Sequence, residues 1–368
     1  MPAERFELRI SYRKLLFGLL ITVVPLSLAG LYAVTTSDRE LQRTIGTHFK
    51  ILAGNTANEV AQFVHERVVH VGTIATEPAV RDVIAASNRR WQAMNDAAAV
   101  ELIRRTEENW NSPSGAAEVD RILANPAAAR LRRYQELDPR FLRITVTDAR
   151  GVTVAASHKT QDYLQSDEGY WQAIYADGRG AINLTDILYD DVTKSSYIGV
   201  GAPVLDEGNR FIGTVDALVD VTSLFRVVNQ QHPPLNLRTS LVKEDGTVIC
   251  APEVTLAMKA QSEEYRAVQD ALTTLQGRQT GYMVADFGKE ARLIGFADTG
   301  LKEDYQNLAW IVLVSQDARE ALAPVRFVGR LTGFLALLGL AMVALAIMYF
   351  SLHRKEPFED RRPLDSTS

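Results

Sequence analysis

Leu142-Arg143-Ile144-Thr145-Val146-Thr147, closed by Asp148-Ala149-Arg150-Gly151 and followed by Val152-Thr153-Val154-Ala155-Ala156, is the segment on which the architecture turns. Apolar Leu142, Ile144 and Val146 alternate with polar Arg143, Thr145 and Thr147, the period-two pattern of a half-buried strand. An acid and a glycine then supply hairpin chemistry. The signature returns in Ser240-Leu241-Val242-Lys243, the turn Glu244-Asp245-Gly246, and Thr247-Val248-Ile249. Strand, hairpin and strand used twice predict two copies of one module, with Pro233-Pro234 between them. Further strands are predicted over 195–204 and 210–219 in the first copy, and over 279–285, 291–297 and 308–315 in the second. Hairpin-linked strands with helices on their faces make each sheet antiparallel and the chain α+β.

Before the first copy the period is helical. Ser37-Asp38-Arg39-Glu40 has capping-box spacing. Leu41, Ile45, Phe49, Leu52, Thr56, Val60 and Phe63 then recur every three to four residues, one face of a long helix with no strong breaker until Pro78. This helix is expected to be the spine of the domain. Further helices are predicted over 88–110 and 116–137, separated by the loop Asn111-Ser112-Pro113-Ser114-Gly115. Asp317-Ala318-Arg319-Glu320 again has helix-start spacing.

Leu15–Val34 and Leu331–Leu352 carry no charge, and each is long enough as a helix to span the roughly 30 Å of a bilayer core. Arg5, Arg9, Arg13 and Lys14 precede the first run; His353, Arg354, Lys355, Arg361 and Arg362 follow the second. The positive-inside rule predicts cytoplasmic termini and an exported middle. A cleavable signal peptide is the rival for the first run, since Ser27-Leu28-Ala29 has small residues at cleavage-like spacing. The expected layout is a cytoplasmic start (1–14), a first crossing (15–34), a spine and helical region (38–139), a membrane-distal module (140–232), a membrane-proximal module (236–318), a second crossing (331–352) and a cytoplasmic tail (353–368). That tail is too short for a folded enzyme, so the output is expected in a separate protein.

The net charge of −5 is modest, and no basic stripe points to nucleic acid. One cysteine, Cys250, excludes an internal disulfide, and its apolar neighbours predict a buried, inert thiol. His65-Glu66-Arg67-Val68-Val69-His70 resembles a zinc-protease helix, but histidines five apart lie about 140° apart around a helix and cannot share a ligand face. Asp190-Asp191 fits a turn cap better than a metal site. There is no phosphate loop, nucleophile elbow or cysteine metal spacing, so no enzyme, metal or cofactor is expected.

Together these features resemble the double Cache sensor domains of bacterial chemoreceptors, histidine kinases and related membrane receptors. The resemblance covers about 38–325. It is carried by the spine helix, Thr147-Asp148-Ala149-Arg150-Gly151-Val152, Tyr170-Trp171, Gly201-Ala202-Pro203-Val204-Leu205-Asp206, Phe211-Ile212-Gly213, Glu244-Asp245-Gly246-Thr247-Val248 and Trp310-Ile311-Val312-Leu313-Val314-Ser315-Gln316. It implies two PAS-like antiparallel-sheet modules on a long N-terminal spine, flanked by two transmembrane helices, with ligand in the distal module and relay through the proximal one. Members commonly pair as homodimers along the spine, and the apolar face from Leu41 to Phe63 is compatible with that.

Amino-acid-binding members hold the ligand carboxylate with an arginine and a Trp region, and its ammonium with aspartates and tyrosines. The matching positions here are Tyr163, Glu168, Tyr170, Trp171, Tyr189, Asp191 and Asp216. Glu168 stands where the arginine would be, and an acid there repels a carboxylate. Aromatic faces beside carboxylates suit a desolvated ammonium, so the expected ligand is a small cationic amine. The bland alternative makes the aromatics core residues and leaves the acids in solvent. The expectation is therefore a two-pass receptor subunit of the bacterial inner membrane that signals to a cytoplasmic partner. A degenerate receptor acting as a scaffold that binds no ligand is the alternative.

Overall fold

A computed structural model describes residues 12–190, 194–228, 237–274, 280–288, 290–321 and 323–352. Asp191, the Pro233-Pro234 boundary, the basic residues Arg5 and Arg9 and the tail from 353 lie outside the described residues. The chain divides into two compact units, one of residues 46–318 and one of 1–45 with 319–368.

Helix α1 (Tyr12–Ala75) runs through both units. Its only internal proline is Pro25, and the backbone passes helically through residues 37–40 instead of starting there. A continuous helix has no orphan N–H groups at that point, so the capping-box spacing finds nothing to cap. Helices α2 (Pro78–Gln92) and α3 (Asp96–Asn109) replace the single helix predicted over 88–110. Asn95 divides them, its side-chain oxygen accepting from Ala97 N at 2.9 Å to cap α3. Likewise α4 (Ala116–Ala124) and α5 (Pro126–Leu137) replace the helix predicted over 116–137. Pro126 has no N–H to continue a helix but suits a first turn, and Asn125 caps α5 through Ala128 N at 2.9 Å.

The first module contains β1 (Phe141–Asp148), β2 (Thr153–Ala156), α6 (Gly169–Tyr175), β3 (Asn183–Leu184), β4 (Leu188–Asp190), β5 (Ser195–Leu205), β6 (Phe211–Asp220) and α7 (Thr222–Val228). Its antiparallel sheet runs β2-β1-β6-β5-β3, with β4 also on β5. The second contains β7 (Arg238–Lys243), β8 (Val248–Ala251), β9 (Val254–Thr255), α8 (Glu263–Thr274), β10 (Thr280–Phe287), β11 (Glu290–Asp298), α9 (Leu301–Asp304) and β12 (Trp310–Asp317). Its sheet, also antiparallel, runs β10-β11-β12-β7-β8-β9. The predicted strands all form, because period-two alternation leaves a helix no coherent apolar face.

On the spine, Phe49, Ala53, Thr56, Ala57, Val60 and Val64 are buried within the first unit. Much of the face predicted to be free for pairing of two copies is therefore covered by the chain's own modules. Arg67 is 1% exposed, bonded to Asp138 and lying over the Phe63 ring at 5.5 Å. In the second module α8 lays Tyr265 and Val268 on Val242, Phe296 and Leu313. Cys250 is buried there, and burial pushes its thiol up to about 12.

One expectation is corrected in the first sheet. Ile144 and Val146 are wholly buried as predicted, but the polar set of β1 does not face water: Thr145 and Thr147 are buried, as are Thr214 and Asp216 on β6. Both faces of the sheet are covered, one by α2 and α5 and the other by α6.

In the other unit the start of α1 lies beside α11 (Ala323–Leu352), which follows the single turn α10 (Ala318–Ala321). A Cβ on Gly30 would stand 3.9 Å from Thr332 Cγ2, and one on Gly339 3.7 Å from Val23 Cγ1. Among the described residues no helix is long and apolar enough to cross a membrane. The crossings expected over 15–34 and 331–352 rest on the sequence.

Candidate functional site

The covered polar face of the first sheet is built by register. Antiparallel partners share a face, so Thr145 opposite Asp216, Thr147 opposite Thr214 and Asp216 opposite Gly201 line up across β1, β6 and β5. Arg143, two residues before Thr145, belongs to the same set. Thr153 on β2 pairs with Thr147 and widens the face.

Helix α6 forms the cover. Trp171 Nε1 donates to Thr147 Oγ1 at 2.8 Å, and that oxygen is 2.7 Å from Thr214 Oγ1. Tyr175 stacks on Trp171 at 5.1 Å, and Phe211 meets both rings edge-on. Gly201 makes the approach possible: a Cβ there would lie 2.2 Å from Ile174 Cδ1. Tyr170 donates from its hydroxyl to Gln165 Oε1 at 2.5 Å. Burial raises the Tyr170 hydroxyl well above its ordinary range, and the charge of Asp216 adds to the effect.

The face is not self-satisfied. Thr145 Oγ1, Thr153 Oγ1 and Arg143 Nε are buried without a hydrogen-bond partner. Asp216 is 7% exposed, and burial pushes its carboxyl up to about 7, opposed by the nearby positive charge of Arg143. A buried carboxyl whose pKa is raised by burial, two unpartnered hydroxyls and a guanidinium thus share one covered face, which makes it the candidate site.

Of the residues singled out in the sequence, the structure brings Tyr170, Trp171 and Asp216 together here. Tyr163 is buried elsewhere, its ring 5.5 Å from Trp110. Burial raises its hydroxyl, with Glu118 and Asp148 as the main neighbouring charges. Glu168 is exposed at the N-cap of α6 and makes no capping bond. Tyr189 pairs with Ser196, which alternates along β5 with the set containing Gly199 and Gly201. Asp191 lies outside the described residues. Arg143, Thr145, Thr153 and Gln165 went unrecognised as site residues; the signal was there in the matched polar positions of two strands predicted to pair. Among the described residues no cluster could hold a metal ion, and His65 and His70 attend Asp304 and Asp138 respectively.

No curated protein matches the chain. Among solved structures it is similar to the extracellular domain of the putative histidine kinase rpHK1S-Z16, at 16% identity and TM-score 0.46, over 75% of this chain and 95% of that one. It is also similar to the ligand-binding domain of the Pseudomonas fluorescens chemoreceptor CtaA in complex with L-leucine, at 12% identity and TM-score 0.47, over 77% and 99%. A third is the ligand-binding domain of the Pseudomonas aeruginosa PAO1 chemoreceptor PctB with L-Arg, at 14% identity and TM-score 0.42, over 77% and 97%. The sequence profile of the Cache domain matches residues 37–325, which takes in the spine and both modules, and the chain belongs to that family.

Proposed function

We propose that this protein is an extracytoplasmic sensor of the bacterial cell membrane that binds a small molecule bearing a cationic amine in its first module. The observation that carries the ligand class is Asp216. A carboxylate out of water costs several kcal/mol unless paired, and a bound ammonium supplies the pairing. The ring of Tyr170 and the indole of Trp171 add aromatic surface suited to a cation. Membership of the Cache family supports the sensing role.

The two apolar runs cross the membrane in this reading, with both termini cytoplasmic. Phe17, Leu26, Leu28, Tyr32, Phe334 and Leu337 support it, since each is exposed on its helix and water is a poor solvent for such a surface. The signal passes to a cytoplasmic partner protein, and the chain performs no chemistry of its own. Pairing of two copies would use the other side of α1, where Ile51 and Val69 stand exposed.

A ligand with a carboxylate beside its amine is the second reading, favoured by Arg143, whose buried Nε has no partner on this face. Calorimetric titration of the whole protein separates them. Simple diamines should bind, and Asp216→Asn should weaken them by about 2–5 kcal/mol, the range for desolvated charge pairs. If amino acids bind and amines do not, and Arg143→Met abolishes that binding, the second reading replaces the first. Failure of amines, amino acids and organic acids alike would leave the protein a scaffold.

A further inference from the structure

The segment from β3 to β4 runs along the edge of β5, beside the face that carries Asp216. Thr185 N donates to Gly199 O at 2.9 Å, and Gly199 N donates to Thr185 Oγ1 at 2.7 Å. A Cβ on Gly199 would lie 2.9 Å from Thr185 Oγ1, so this residue closes over the strand directly beside Gly201 and Asp216. Thr185 is a wall of the candidate site.

The next residue belongs, by its contacts, to the other module. Lys243 Nζ donates to Asp186 Oδ2 at 2.6 Å, and Trp310 Nε1 donates to Asp186 Oδ1 at 2.9 Å. Lys243 and Trp310 are cross-strand partners on β7 and β12, the two middle strands of the second sheet. Asn307 Nδ2 adds a bond to Leu184 O at 3.0 Å. Trp310 is 1% exposed, Lys243 about a fifth and Asp186 a third, so these charge-assisted bonds are partly shielded from solvent. Both oxygens of one carboxylate are thus engaged by the second module, and its neighbour in sequence shapes the pocket of the first.

We propose that Asp186 is a positioning residue: it locks the wall at Thr185 to strands β7 and β12, so that the pocket and the second sheet move as one body. β12 leads in the chain to α10 and α11, which gives a wall displaced by a ligand a direct route toward the second apolar run. A route alone is not coupling; coupling requires that a change at one end alter the equilibrium at the other. The lock itself stands on the hydrogen bonds above; its use by a ligand rests on the sensing role proposed for the same pocket.

Amide hydrogen exchange on the full chain, without ligand, tests the lock independently of that role. Lys243→Met and Trp310→Phe alter the second module only. Each should speed exchange at Gly199 and Ile187, in the first module, by about tenfold, the cost of one charge-assisted bond. Lys243→Arg should restore protection, and Lys243→Met should add little at Gly199 once Asp186→Ala is present, because the partner of Lys243 is then gone. Exchange at Gly199 unchanged by both second-module variants, or effects of Asp186→Ala and Lys243→Met that simply add, overturns the proposal. Because no ligand enters, a negative titration against amines leaves this outcome untouched.

Discussion

Asp216 concentrates the residue-scale chemistry. Its carboxyl titrates near 7 when folded and near 4 when unfolded. Between those values the folded protein holds more protons, so stability contributed by this group falls as pH rises from about 4 to 7 and is flat above. Thermal unfolding of the protein and of Asp216→Asn across that range should show a gap that narrows with pH toward 4 and reaches an order of 4 kcal/mol near neutrality. The same proton governs binding, since an ammonium needs the ionised form. Amine affinity should climb up to about tenfold per unit from pH 5 to 7 and then level off. Calorimetry at four pH values checks this, and a pH-independent affinity would remove Asp216 from the site. Glu168, exposed beside α6, should matter little: Glu168→Gln should change amine affinity less than about twofold, as screened surface charges do. The family pattern made Glu168 prominent, whereas Arg143 and Thr145 looked like the wet side of a strand. Nothing local distinguishes a threonine facing water from one facing a covered polar face. That difference is made by α6, distant in sequence.

At the scale of elements, alternation in β1 and its repeat in β7 were legible because period two has few rivals. Helix boundaries were less so. Asn95 and Asn125 are ordinary polar residues of an Ala- and Arg-rich stretch, yet Asn95 begins α3, and Asn125 both ends α4 and begins α5. Asn125 does more than cap: its Nδ2 also donates to Val154 O at 2.8 Å, fixing α5 against β2. Asn125→Ala should therefore destabilise by about 2 kcal/mol, the upper end for an N-cap, read from a denaturant midpoint that shifts without a change of slope. Gly201 is the opposite case, a residue whose lack of a side chain is the feature. Gly201→Ala would press a Cβ into Ile174 and displace α6 from the sheet. The displaced helix should cost amine affinity while leaving β7–β12 exchange rates as they were.

For the whole molecule, the question is on which side of a membrane the modules stand. The charge flanks of the two apolar runs predict that the stretch from about 35 to 330 is exported. Thiol labelling decides it without fusion proteins, because the native thiol is silent. Cys250 is buried, and its pKa near 12 leaves almost no thiolate at neutral pH. Arg105 is 70% exposed on α3, so Arg105→Cys gives one reactive thiol on the first unit. Arg9→Cys gives one before the first run. Intact cells treated with a membrane-impermeant maleimide should label Arg105→Cys at once, and Arg9→Cys only after lysis. Labelling of Arg9→Cys in intact cells would reverse the orientation, and its loss from the mature chain would identify the first run as a cleaved signal.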